Sequence, residues 1–292
     1  MRVEPTSPAK PIRANETRQH EIQFTVDRSA FLFFFLAFIP LQAQSYDSEL
    51  QLGVRAYKGG RYEQAMWHFR KATELDPSQP NAHLYLATAL TTQYIPGVES
   101  PDNLFLAEQA IEQYQRVLDL GPEPDSKMNC LKGIAYLYLN MKKWEDAKAY
   151  YQKASAVDPN DPEPYYSVGV VSWTWCYLPR MEGRAKLSVG PAEHLSSSNA
   201  EQKKLCDDLR IKNMRTIEEG IDSLNKAIQL RPDYDDAMAY MNLLYREKAD
   251  LECDNPSLRA QDLRTADEWV DKTLETKRAK ARKAIPAQTS PQ

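Results

Sequence analysis

The residues of this 292-residue chain best suited to chemistry are four histidines and four cysteines. His20, His68, His83 and His194 stand far apart. No two share the short spacing that sets a pair of imidazoles on one metal ion from neighbouring turns of a helix or loop. Cys130, Cys176, Cys206 and Cys253 form no Cys-x-x-Cys pair, so neither a zinc knuckle nor a thiol redox motif is written here. The adjacent carboxylates Asp207 with Asp208 and Glu218 with Glu219 would point to different sides of a helix, as solvated faces and not as an acid–base couple. There is no phosphate-cradling loop, dinucleotide fingerprint or nucleophile elbow. The expectation is a non-enzymatic protein with no cofactor and no metal. An enzyme or obligate enzyme subunit would have to hide its chemistry between Trp175 and Arg215.

What such a chain could position follows from its composition. With 37 basic and 41 acidic side chains, 42% hydrophobic and 27% charged residues, it has ordinary globular proportions, which excludes disorder as a global description. A net charge of −4 without a dominant basic patch argues against a nucleic-acid partner. Only 10 residues are glycine, about half the usual share, so helices are expected to outnumber tight β-turns.

Ala30 to Leu41 is an apolar run inside an uncharged stretch from Ser29 to Tyr46. The run is well short of the roughly 20 residues a spanning helix needs, and reads as a signal-peptide core with cleavage after Ala43. Residues 1–28 mix Arg2, Lys10, Arg13, Arg18 and Arg28 with Glu4, Glu16, Glu21 and Asp27, long for a signal n-region; translation starting near Val26 would account for it. The alternative is an uncleaved anchor at residues 30–41 in an inner membrane. The expected division is 1–43 as N-terminal extension and signal peptide or signal anchor, 44–283 as a helical array, and 284–292 as a disordered tail. The expected location is periplasmic or extracellular, with membrane contact only through the N-terminal segment.

The array is legible as a repeat. Ala65, Ala110, Ala147 and Gly220 stand at one constant distance before a proline: Pro77, Pro122, Pro159 and Pro232 respectively. Four positions after the small one stands Phe69, Tyr114, Tyr151 or Leu224, and seven after it Ala72, Val117, Ala154 or Ala227. Offsets of 0, 4 and 7 share one helix face, and the proline stops the helix. A second helix type precedes these: Gly53 and Ala87 are 34 apart, as are Ala135 and Gly169, each following an apolar residue. Two helices per period of about 34 residues, with small residues at the crossing and proline at the end, resembles the tetratricopeptide repeat (TPR) family, and in particular its exported bacterial members. The resemblance covers Tyr46 to Lys283. It implies an all-α, right-handed superhelical solenoid of about five helix-turn-helix pairs, with insertions in repeats two, four and five.

The departures are specific. The steps from Pro77 to Pro122, from Pro122 to Pro159 and from Pro159 to Pro232 all exceed the period, the last by more than twofold. Repeat two gains about 11 residues from Gln93 to Asn103, with Ser100 and Pro101 suited to restart a helix. Repeat four gains about 39: Leu178-Pro179 is expected to end a helix, Ser188 to Ser198 to form a loop, and Ser198 with Glu201 to cap the next helix. Repeat five is degenerate, with Met238, Met241, Asn242 and Tyr245 on its first helix and Asn255-Pro256 opening its second. Lys277, Arg278, Lys280, Arg282 and Lys283 crowd that helix end as a solvated cap. Buried free thiols are expected; if a disulfide forms, Cys176 to Cys206 is the expected pair, because it would staple the repeat-four insertion.

The resemblance implies that the first helix of each pair lines a concave groove. It assigns Leu50, Val54 and Tyr57 to that face, then Asn81, Leu84, Thr88 and Thr92, then Asn129, Lys132, Tyr136 and Asn140, then Tyr166, Val170 and Trp173, and finally Arg246. The surface suits a peptide or protein partner, although Tyr57, Tyr166 and Trp173 would equally serve packing between repeats. A carboxylate-clamp co-chaperone is disfavoured: Leu50, Val54 and Tyr85 occupy three of its places, and Asn129 alone is compatible. Two readings stand apart from catalysis. One is an interaction module or scaffold gripping its partner in the groove. The other is a structural envelope-assembly subunit holding its partner through the repeat-four insertion.

Overall fold

The computed structural model describes residues 45–190 and 193–284. The expected leader, its cleavage after Ala43 and the tail from Pro286 lie outside the described residues. Ten helices follow one another: α1 (Tyr46–Lys58), α2 (Tyr62–Leu75), α3 (Pro80–Gln93), α4 (Pro101–Asp119), α5 (Pro124–Asn140), α6 (Trp144–Val157), α7 (Pro162–Lys186), α8 (Ala200–Leu230), α9 (Asp235–Asp250) and α10 (Pro256–Ala284). No strand occurs among the described residues. Each helix packs on the next, and first helices also touch across repeats, α1 on α3, α3 on α5 and α7 on α9. The result is a right-handed solenoid of five helix pairs. No described helix is long and apolar enough to cross a membrane.

The repeat positions form its core. Ala65, Ala110 and Ala147 are fully buried, as are Ala72, Val117, Ala154 and Ala227, with Phe69 and Leu224 beside them. These small residues let helices approach closely. A Cβ on Gly220 would come 2.6 Å from the Ser172 Cβ. Glycine in mid-helix costs about 0.5–1 kcal/mol relative to alanine, and the crossing it permits offsets that.

Some helix starts are set by side-chain caps. Ser100 Oγ accepts from the Asn103 amide at 3.3 Å, with Pro101 in the first helical position. The repeat-two loop is then latched by Asn103, whose Oδ1 accepts from Ile95 N (2.8 Å) and whose Nδ2 donates to the carbonyls of Ile95 (2.8 Å) and Val98 (2.7 Å). Asp161 caps α7, accepting from Glu163 N at 2.9 Å.

Three expectations about the repeat-four insertion are corrected. Pro179 does not end a helix: α7 runs 25 residues straight through it. Proline removes one backbone donor and crowds the preceding turn, at about 3 kcal/mol. Tertiary contacts beyond it hold the helix. Arg180 forks onto Glu247 (Nε 2.7 Å, Nη2 2.9 Å) and reaches Asp250 (Nη1 2.7 Å), while Arg184, fully buried, donates to the carbonyls of Gly190 and Glu193. The cap of α8 is Asn199, not Ser198. Asn199 Oδ1 accepts from Glu201 N (3.0 Å) and Gln202 N (3.1 Å), whereas Ser198 pairs with Ser196. The disulfide is Cys206–Cys253, with Cα atoms 6.5 Å apart. Cys176 is instead a buried free thiol facing Asn213, as Cys130 is a buried free thiol in the first half of the array. Burial pushes both thiols up to about 12. The bridge therefore ties the insertion to repeat five instead of closing it on itself.

Candidate concave binding face

The inner face is built from the first helices, which expose Tyr85 and Tyr136 among polar and charged side chains. Part of it is hollowed where α1 and α3 meet over Phe69 of α2. Two adjoining hollows open there. One, of about 290 Å³, is lined by Val54, Tyr57, Lys58, Phe69, Tyr85 and Thr88. The other, of about 310 Å³, is lined by Leu50, Gln51, Val54, Arg55 and Tyr85. Tyr85 separates them; it stacks on Phe69 at 5.6 Å and is 41% exposed. The groove face assigned from sequence omits Tyr85, although it directly follows Leu84 of that face on the same helix.

The assigned residues divide into those that present themselves and those already engaged. Asn81, Asn129 and Tyr136 are exposed, Tyr136 at 37%. Tyr57 shares a 2.9 Å hydroxyl contact with Thr92 and packs edge-on against Tyr62. Thr88 donates to the Leu84 carbonyl at 2.8 Å. Lys132 is held by Asp161 at 2.8 Å. Burial would raise that carboxyl, but the Lys132 ammonium and the Glu163 amide bring it below its ordinary value. Asn140 Nδ2 donates to the Tyr136 carbonyl of its own helix at 2.8 Å. Arg246 bonds Asp267 (2.7 Å) and Asn242 (2.8 Å).

Tyr166 and Trp173 belong to an aromatic ladder between α7 and α9. Tyr166 lies 4.9 Å from Tyr234 and 5.7 Å from Tyr240; Trp173 lies 5.7 Å from Tyr240 and 4.8 Å from Tyr177. Burial, then the neighbouring Tyr240, pushes the Tyr166 phenol up to about 12. The end of the ladder is pinned by Glu163, which accepts from Tyr234 Oη at 2.8 Å and pairs with Arg231 at 2.9 Å. Tyr177, Tyr234 and Tyr240 complete this row; the insertion and the degenerate fifth repeat hid their register.

Among the described residues no group of three or more His, Cys, Asp or Glu side chains is placed to hold a metal ion. The arrangement is a contact surface: an all-α repeat solenoid whose helices cross at small residues and whose inner face presents rigid rings. Comparison with known proteins gives that class its family. Residues 53–93 match the family model of the TPR repeat and residues 133–161 that of the tetratricopeptide repeat, so these two stretches are tetratricopeptide repeats. It is 28% identical over 141 residues to the type IV pilus assembly protein PilF of Pseudomonas aeruginosa, a match covering 41% of this chain and 56% of that relative's length. Its fold is similar to the crystal structure of MamA, with a TM-score of 0.52 and 15% identity over 84% of this chain and 98% of that one. It is likewise similar to MamA from Desulfovibrio magneticus RS-1 at 0.51 and 17%, over 80% and 96%.

Proposed function

We propose that this protein is an exported, non-enzymatic scaffold that binds a segment of a partner protein along its concave face. The observation that carries the reading is the pair of hollows around Tyr85, continued along the inner face by the exposed Tyr136. Rigid aromatic rings supply large contact area with few rotors to freeze. Export is supported by the expected leader and by the Cys206–Cys253 bridge, since such bonds persist in oxidising compartments. The likeness to a pilus assembly protein fits a scaffold that works in a cell envelope.

A second reading rests on the repeat-four hairpin, which exposes Leu178 (38%) and Ile211 (83%) and could seat an assembly partner on its outer side. Affinity capture from the native organism decides between them. Tyr85→Ala with Tyr136→Ala is expected to weaken capture at least about tenfold while leaving the melt within a few degrees, as loss of interface anchors does. Unchanged capture with an unchanged melt moves the site to the hairpin.

A further inference from the structure

The hollows around Tyr85 carry information about their occupant. Farther along the inner face three charged side chains are engaged within the chain: Lys132 with Asp161, Glu163 with Arg231, Arg246 with Asp267. At the α1 end the pattern breaks. Arg55 lines one hollow and Lys58 the other. Both are exposed, and neither is in an ion pair among the described residues. No acidic side chain lines either hollow. Three positions apart on α1, the two cations lie on one side of the helix, at the mouths of cavities floored by Leu50, Val54, Phe69 and Tyr85.

From this juxtaposition we infer that the segment bound at repeats one and two is acidic and apolar together. A bulky aliphatic or aromatic side chain enters the hollows beside Tyr85, and Asp or Glu one or two positions away reaches Arg55 and Lys58. The inference rests on the groove reading above and adds its partner chemistry. An apolar wall beside a cation strengthens its attraction for a carboxylate, because the local dielectric is lower than that of water. The same cations repel a basic segment, so they select as well as attract. Chain-terminal carboxylates are not required: Leu50, Val54 and Tyr85 leave no polar ring to grip one, and internal acidic side chains serve.

The test is selection of a random phage-displayed peptide library on the full-length protein. Enriched sequences are then made as C-terminally amidated peptides and titrated by fluorescence anisotropy. The expected consensus is Leu, Ile, Phe or Trp flanked by Asp or Glu. Arg55→Glu with Lys58→Glu should weaken these peptides at least about tenfold, and wild-type affinity should fall severalfold between about 0.05 and 0.5 M salt. The same double variant should gain affinity for peptides whose acids are replaced by Lys, a result that misfolding cannot imitate. A neutral or basic consensus that still needs Tyr85 overturns the acidic requirement and leaves the groove reading standing. Peptides indifferent to both Tyr85→Ala and Tyr136→Ala, or a selection that enriches nothing, sink the groove reading itself.

Discussion

Gly169 on α7 lies so close to Leu224 on α8 that a Cβ at Gly169 would overlap the leucine side chain, and Gly53 on α1 stands in the same relation to Phe69 on α2. The separation along the chain is far greater for the first pair than for the second. The excess is the whole repeat-four insertion, so the insertion lengthens the hairpin beyond the crossing and leaves the crossing itself intact. Gly169→Leu should therefore behave as an overpacking substitution in an ordinary repeat and destabilise by about 1–3 kcal/mol. Denaturant melts would read this directly; an unchanged midpoint would mean the two helices do not approach as closely as the contact requires.

A milder backbone effect is expected in repeat three. Gly60 ends the α1–α2 turn at φ +71, and the equivalent turn between α5 and α6 uses Lys142 at φ 59. A left-handed conformation costs a side-chain-bearing residue roughly 1–2 kcal/mol, partly offset in glycine by its freer unfolded chain. The Lys142–Glu99 pair at 2.7 Å is exposed on both sides and is worth little. Lys142→Gly should thus raise stability by about 0.5 kcal/mol, seen as a small upward shift of the melting temperature. A clear drop would show that the pair with Glu99 outweighs the backbone strain.

Such comparisons mark what sequence alone could reach. Ala65, Phe69, Ala72 and Pro77 are legible because helical packing imposes a fixed spacing and the proline closes it locally. Ser100 and Asn255 are legible as helix starts for the same reason, since a cap acts within one turn. Pro179 is not, because Arg180 and Arg184 hold the helix through Glu247 and Asp250, far along the chain on α9. The Cys206 partner is not either: α9 and its turn bring Cys253 to it across a sequence separation of 47. In the candidate site, the resemblance to the repeat family suggests which helices line the inner face, but it cannot say that Lys132 and Arg246 are already paired or that Tyr85 stands between two hollows.

The disulfide predicts a further difference. Closing a loop with a sequence separation of 47 restricts the unfolded chain, which is worth about 2–4 kcal/mol. Reduction, or Cys206→Ser with Cys253→Ser, should lower the melting temperature and loosen the insertion against repeat five. Peptide mapping without reductant should recover Cys206 linked to Cys253. Cys130 and Cys176, buried and with their thiols raised to about 12, should alkylate only on unfolding. Rapid native-state labelling of Cys176 would contradict its place in the core.

Acid should weaken the array through a defined set of carboxylates. Glu219 is held below the usual glutamate range first by its 2.6 Å bond from Lys148 and further by Arg215; Asp235 is lowered first by Lys280. A carboxyl lowered in the folded state contributes stability that is full above its unfolded value, near pH 4, and is lost as pH falls through the lower native value. Glu247 runs the other way. Burial raises its carboxyl despite Arg180, so its contribution opposes the trend as pH rises. Melting temperature should fall between about pH 5 and pH 3, and Glu219→Gln should start lower at pH 7 and fall less. Parallel curves for the two proteins would remove Glu219 from that account.

The two halves of the inner face should separate cleanly on mutation. Trp173 is half-buried between Tyr177 of its own helix and Tyr240 of α9, so Trp173→Ala removes one aromatic contact within α7 and one across the α7–α9 junction. Each such pair is worth about 0.5–1.5 kcal/mol beyond the area buried, and the total cost should reach about 2 kcal/mol or more. Tyr136 is 37% exposed and enters no aromatic pair among the described residues, so Tyr136→Ala should cost under about 1 kcal/mol. For partner capture the order should reverse at matched folded fractions: Tyr136→Ala weakens it, while Trp173→Ala affects it only as far as repeats four and five loosen. The two variants therefore need melting and capture measured on the same preparations. Equal losses of stability would place Tyr136 in the packing between repeats, and a capture defect confined to Trp173→Ala would move the contact surface toward the aromatic ladder and the hairpin beside it.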